Sequence, residues 1–314
     1  MSLDTAFAGG LPEAAAKWLR GHLGQYEVVR SCRTGSQRTG VWQLRSHSGE
    51  HYFKLNRRRV RWGTELYVYK NWANALAPYV PQLQGVLDQD GLNGLLISSL
   101  GGTPLREARL PEGQSSTAYA KAGELCARLH ALARNSWYGA MDEHGRAVDN
   151  AGAYLEQPLV NPVTCYRMWI SESMKAGEAA HAIDATEARI VRNVIDSLER
   201  IDFPPPIPTS FDYTPGNWIV DDSGDFRGLI DFENMVWGLA ADPFARLLLD
   251  YFPRSRKVED AFYSGYGSRP PEESRDQVRI GCILYALFYK TQASQKGSAS
   301  DAERAKRAFE FCAD

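Results

Sequence analysis

The sequence predicts an α+β protein in two lobes: a five-stranded antiparallel sheet within residues 1–97, then a mainly helical part over residues 98–314. Three observations carry this expectation. Short runs that alternate apolar and polar residues, separated by turn residues, crowd the first part. The stretch Ser98-Ser99-Leu100-Gly101-Gly102-Thr103-Pro104-Leu105 has the punctuation of a linker. Beyond it, apolar residues recur at helical spacing. A chain of 314 residues has room for one large domain or two lobes and for a sizeable core.

The first element is a helix over 11–23, where Pro12 sits near the start and good helix formers follow. Residues 26–30, 41–45 and 51–55 read as strands, joined by Arg33–Gly40 and by Ser46–Glu50. Backbone N–H groups of a glycine-bearing turn such as the first can cover phosphates; alone it reads as a structural turn. Lys54 lies in an otherwise apolar strand and alternates with Tyr52 and Asn56. It is either an exposed outer-face lysine or a phosphate-pairing one, and the second role requires an acidic partner. Glu65 supplies one near the start of a helix over 61–76, whose buried stripe is Leu66, Tyr69, Trp72 or Ala73, and Leu76. Residues 83–87 and 92–97 flank Asp88-Gln89-Asp90-Gly91 as a second hairpin, which completes five strands.

After the linker, Leu125, Leu129 and Leu132 form the stripe of a helix over 117–133. His130 beside it reads as a core residue, able to support a neighbouring loop. Residues 134–162 read as a loop with a short hairpin. Tyr166, Met168 and Trp169 precede Glu172 and Glu178, and Ile190, Val191, Val194, Ile195 and Leu198 mark a helix over 183–201. Phe203–Pro208 is too proline-rich for a helix or a central strand. Asp242-Pro243 is a helix-start signature, and 244–252, 256–266, 272–292 and 299–312 read as closing helices.

Composition narrows the function. Hydrophobic residues at 44% and charged residues at 24% are ordinary for a soluble globular chain. No apolar run approaches membrane-spanning length, and Met1-Ser2-Leu3-Asp4 lacks a basic, apolar leader. Five scattered cysteines without a CxxC speak against a disulfide framework or a zinc site, so cytoplasm is the expected compartment. The net charge of −2 divides into +5 over residues 1–97 and −7 over 98–314. A basic first part suits a polyanion and an acidic second part a cation, though surface variation explains the split equally well. The dense basic run, Arg57-Arg58-Arg59 with Arg61, is too short to suggest a nucleic-acid partner.

The most informative stretch is Ser210-Phe211-Asp212-Tyr213-Thr214-Pro215-Gly216-Asn217, followed by two apolar runs around Asp221–Asp225 and then by Ile230-Asp231-Phe232-Glu233. It offers a carboxylate on a loop, an amide just beyond it, and a second carboxylate after a hairpin. Taken singly, Asp212 could make an Asx-turn and Asp231 could merely end a strand. Together the stretch resembles the catalytic segment of the aminoglycoside phosphotransferase family, H-G-D-x-x-x-x-N followed by a hairpin and I-D, with Ser210 and Phe211 in place of His and Gly.

The resemblance implies a protein-kinase-like fold in which ATP and Mg2+ are used to phosphorylate a hydroxyl. It implies Asp212 as the catalytic base, Asn217 and Asp231 as magnesium ligands, Lys54 with Glu65 as the lysine–glutamate pair, and Ser36 at the phosphates. Backbone groups of Ser99 and Leu100 would meet the adenine edge, and the arginines at 57–61 would be exposed near the nucleotide mouth. The helices between linker and catalytic segment would wall the acceptor site, with Asp250, Glu259 and Asp260 as possible edges and Asp314 as a possible terminal carboxylate on substrate. The partner is then a small-molecule hydroxyl substrate. An aminoglycoside-like antibiotic leads. A nucleoside-type antibiotic or a metabolite alcohol of the choline or homoserine type are alternatives, and an ATP-binding pseudokinase is the rival from another class.

Overall fold

The computed structural model describes residues 10–33, 39–149, 151–270 and 274–313. Helix α1 (Glu13–Leu23) follows Pro12 and buries Ala15, Leu19 and Leu23. Strands β1 (Tyr26–Arg33), β2 (Thr39–Ser46) and β3 (Gly49–Asn56) come next, then helices α2 (Arg59–Asn71) and α3 (Ala73–Leu76), then β4 (Leu83–Gln89) and β5 (Leu92–Ser98). The five strands form one antiparallel sheet in the order β1-β2-β3-β5-β4. Side chains alternate across β3. Phe53 and Leu55 therefore join Trp42, Leu44 and Leu96 in the core under α1, while Lys54 faces the other way.

Helix α2 is buried on almost every side, which explains its weak amphipathic pattern. The expected stripe is buried, with Leu66, Tyr69, Trp72, Ala73 and Leu76 between 0% and 7% exposed. The single helix expected over 61–76 is nevertheless broken at Trp72, where φ is −116°. The Trp72 ring meets Trp237 edge-on at 5.2 Å, and Tyr69 meets Phe232 at 5.6 Å. Thr64 donates to the Met141 carbonyl at 2.6 Å. These contacts tie α2 to the second half of the chain.

The expected linker contains a short strand, β6 (Thr103–Pro104). Helix α4 (Glu112–Ala131) follows, then the hairpin β7 (Ala140–Met141) and β8 (Ala147–Val148), then α5 (Pro162–Ala179) and α6 (Ala185–Ser197). Asp184 and Glu187 form a complete capping box on α6. The remaining strands are β9 (Ile207–Ser210), β10 (Trp218–Val220), β11 (Phe226–Leu229) and β12 (Met235–Gly238). Pro208 is tolerated in β9 because that strand pairs only with β12. Strand β10 lies between β11 and β6, so the hairpin after Ser210–Asn217 is anchored on the linker.

The closing helices are α7 (Phe244–Arg246), α8 (Arg256–Tyr266), α9 (Arg275–Lys296) and α10 (Ala299–Ala313). The expected helix over 244–252 is α-helical for three residues only, then widens into a π-turn, Leu247–Tyr251, and tightens into a 3-10 turn that contains Pro253. Helices α4 and α8 approach closely at glycines: a Cβ on Gly265 would lie 1.9 Å from the Ala120 carbonyl oxygen. Among the described residues no helix is long and apolar enough to cross a membrane.

Candidate active site

Lys54 projects from β3 into a group of three carboxylates. Its Nζ lies 2.7 Å from Glu65, 2.5 Å from Asp231 and 3.0 Å from Glu233. Lys54 and Glu65 are 7% and 1% exposed. Burial works against the ammonium, but Asp231, Glu65 and Glu233 together outweigh it and hold Lys54 well above the ordinary lysine value. Burial pushes Glu65 the opposite way for a carboxylate, upward; Lys54 resists this, and Asp231 and Glu233 add to it. One cation is shared among three acids, so the lysine gains from all of them while each acid gains only a share.

Asp231, two residues beyond β11, has φ 67° and ψ 67°, a left-handed conformation that a short polar residue tolerates better than most. Phe232 is buried beside it, and Glu233 comes back to the same lysine. Asn56 Nδ2 also donates to Glu233 at 3.0 Å. Glu233 was not anticipated as a site residue. Its signal is the Asp-Phe-Glu triplet, in which an apolar anchor between two acids turns both toward one group.

The segment that carries Asp212 is tied at several points. The Asp212 N–H donates to Ser210 Oγ at 3.1 Å, and the Tyr285 hydroxyl donates to the Phe211 carbonyl. Tyr213 reaches the Ala122 carbonyl on α4 at 2.7 Å, and the Arg106 N–H donates to the Pro215 carbonyl at 2.9 Å. Ser210 and Tyr285 thus support the loop at the two positions that depart from H-G-D. Asn217 Nδ2 donates to the Asp212 carbonyl at 2.9 Å, which leaves the amide oxygen as its donor toward a cation. The Asp212 carboxylate is ion-paired with Arg246, a residue from α7 that the sequence reading missed. Burial opposes the guanidinium charge, but Asp212 together with Tyr285, Tyr289 and Tyr251 outweighs it and raises the Arg246 pKa above the ordinary arginine value.

Two cavities border these groups. One, of about 490 Å³, is bordered by the apolar Val41, Tyr52, Ile97 and Ile219 and by the charged Lys54 and Asp231; Glu65, Asn217, Ser99 and Leu100 also line it. The other, of about 520 Å³, is bordered by Asp212, Arg246, Glu233 and aromatic side chains. Asp212, Asn217 and Asp231 also border one small void of about 10 Å³ behind the loop. The arrangement can hold a polyanion beside Lys54 and an alcohol beside Asp212, with charge neutralised between them.

The structure bears on the other expectations, and some of them need correction. Ser36 and Asp314 lie outside the described residues. The Ser99 N–H is taken by the Glu50 carbonyl at 3.1 Å, since the sheet register continues into the linker. The arginines do not gather at the first cavity: Arg58 and Arg61 line the second, and Arg59 pairs with Asp88 and Glu143. Asp250 is buried under Arg246, Arg304 and Arg307, while Glu259 and Asp260 pair with Arg256 and Arg269. Trp169 and Glu172 border the second cavity, whereas Tyr166 is buried and donates to Asp242 at 3.2 Å. His130 meets Tyr266 at 2.9 Å and Cys126 at 3.6 Å; burial lowers its pKa to about 3, so it is a neutral core residue.

A family model described as "Phosphotransferase enzyme family" (APH) matches residues 34–279. No curated protein sequence matches the chain. Among solved structures, aminoglycoside phosphotransferase APH(4)-Ia is similar at a TM-score of 0.69 and 15% identity, over 95% of this chain and 96% of that one. A thermostable mutant of that protein, in a ternary complex with AMP-PNP and hygromycin B, is similar at 0.70 and 17%, over 95% and 96%. A putative fructosamine-3-kinase from Haemophilus somnus 129PT is similar at 0.66 and 14%, over 94% and 95%. These likenesses establish the shared kinase-like fold. With the family model spanning most of the sequence, the chain belongs to the phosphotransferase enzyme family.

Proposed function

We propose that the chain transfers the γ-phosphoryl group of ATP to a hydroxyl of a small molecule held in the Asp212 cavity. The observation that carries this reading is the division of labour across the two cavities. Lys54, Asp231 and Asn217 border one, Asp212 borders the other, and both are joined through Glu233 and the Lys54 ammonium. Apolar side chains of the first cavity, Leu100 among them, would take the adenine, and Lys54 would pair with phosphate oxygens. Asp212 would accept the hydrogen bond of the acceptor hydroxyl and then its proton.

The donor set suits magnesium, a hard cation that prefers carboxylate and amide oxygens. Asp231 and Asn217 would hold it, and when bound it would neutralise charge on the phosphates. The carboxylate oxygens of Glu65, Asp231 and Glu233 lie within 4.8 Å of one another, so the pocket tolerates a divalent ion near Lys54. The cytoplasm, where ATP is abundant, is the setting that suits this reaction.

For the acceptor, an aminoglycoside-like antibiotic has support in the solved relatives, one of them bound to hygromycin B and another a gentamicin–APH(2")-IIa complex. A second reading, an alcohol carried on an apolar ring, is favoured by the aromatic lining of the cavity. Asp212→Asn tests the proposal. It should abolish phosphoryl transfer and leave binding of a fluorescent ATP analogue intact. Turnover retained by that variant would remove Asp212 from the chemistry. Asp231→Ala should weaken the magnesium dependence of nucleotide binding, and an unchanged dependence would reject that role.

A further inference from the structure

The composition of the second cavity points beyond the general reading to a class of acceptor. Its walls are aromatic and apolar. Trp169 and Phe211 meet edge-on at 5.9 Å, Tyr285 stands beside them, and Phe288 is 48% exposed to the space. A large aromatic side chain left this exposed at a cavity mouth is a contact surface in waiting.

The charges around it are balanced, and most of them are already engaged. Three arginines, Arg58, Arg61 and Arg246, face three carboxylates, Glu172, Asp212 and Glu233. Asp212 is paired with Arg246, and Glu233 with Lys54 and Asn56. Glu172 and Arg61 each have a partner as well. A polyamine would bring several ammonium groups to a space with no surplus of anions, where three guanidiniums stand among the three carboxylates. Such a like-charge contact is unfavourable at a protein surface, where screening is incomplete. A flat apolar ring instead gains from every wall the cavity offers.

Resting on the phosphotransfer reading, we infer that the acceptor is an alcohol borne on an aromatic or other apolar ring, without net positive charge, and that Trp169 and Phe288 hold that ring.

The purified full chain with ATP and magnesium tests this through ADP release. The probes are two polycations, hygromycin B and gentamicin, and three ring-bearing alcohols without a net positive charge, uridine, pyridoxine and 4-nitrobenzyl alcohol. At least one ring-bearing probe should be phosphorylated with a kcat/KM about tenfold or more above either polycation. Phe288→Ala should raise the KM of that probe about tenfold and leave the KM for ATP unchanged. Phe288 is exposed, so its loss should not unfold the chain; Trp169→Leu provides a second reading. Preference for a polycation, or failure of all three ring-bearing probes, overturns the inference. So does a KM indifferent to both substitutions. Magnesium-dependent ATP hydrolysis without acceptor, lost in Asp212→Asn, reports on the phosphotransfer reading separately. If it persists while a polycation wins, only the substrate class falls.

Discussion

Replacing Lys54 with Met tests the electrostatic centre of the site. The substitution keeps most of the aliphatic volume and removes a cation that Glu65, Asp231 and Glu233 share. Those carboxylates have side-chain exposures of 2%, 10% and 13%, so water cannot take the place of the ammonium. Removing one partner of a buried pair costs about 3–5 kcal/mol, and here three acids are stranded at once. The folding equilibrium should therefore shift by a factor on the order of a thousand at alkaline pH. The sign of the pH dependence follows. Without Lys54 the folded carboxyl pKa values lie above their unfolded values, so the folded state takes up protons that the unfolded state does not. Stability is then fully present at low pH and is lost as pH rises through the raised values. Glu65 already has this sign in the unmodified chain. Urea unfolding followed by tryptophan fluorescence should show the full deficit at about pH 8.5 and less than half of it at about pH 5.5. Equal deficits at the two pH values would refute the reasoning, because they would reduce the role of Lys54 to packing.

Arg246→Lys keeps the charge but loses the planar fork beside Asp212, and should lower kcat about tenfold with the KM for ATP unchanged; an unaltered kcat would make Arg246 purely structural. Burial pushes Asp242 up to about 7, offset only in part by the Leu239 N–H and the Tyr166 hydroxyl. Its folded pKa is raised, so the stability it contributes is lost as pH rises toward 7, and Asp242→Asn should flatten the thermal midpoint across that window. A midpoint that still falls as steeply would exclude Asp242 as the source. Gly265→Ala should destabilise by about 1–3 kcal/mol through backbone clash with α4, whereas Gly113→Ala, with nothing within 4 Å, should stabilise by about 0.5–1 kcal/mol. Denaturation midpoints that move the same way for both would contradict the close approach of α4 and α8.

The sequence by itself determined the elements and much of the nucleotide side. Alternation in β3 set Lys54 apart from Phe53 and Leu55, and the stripe of α2 placed Glu65 where the lysine could reach it. Both are local signals, because a strand repeats every two residues and a helix every 3.6. The break at Trp72 and the π-turn after Arg246 were not legible, since they come from packing against Trp237 and around Asp250 rather than from local propensity. Only the tertiary structure brought Asp231 and Glu233 to Lys54 across 177 and 179 positions, and set Arg246 on Asp212. It alone showed that Arg58 and Arg61, after β3, face the Asp212 cavity and leave its charges balanced. Local periodicity fixes which face a side chain takes, but the group it meets there depends on how distant elements pack, and that is a property of the assembled core.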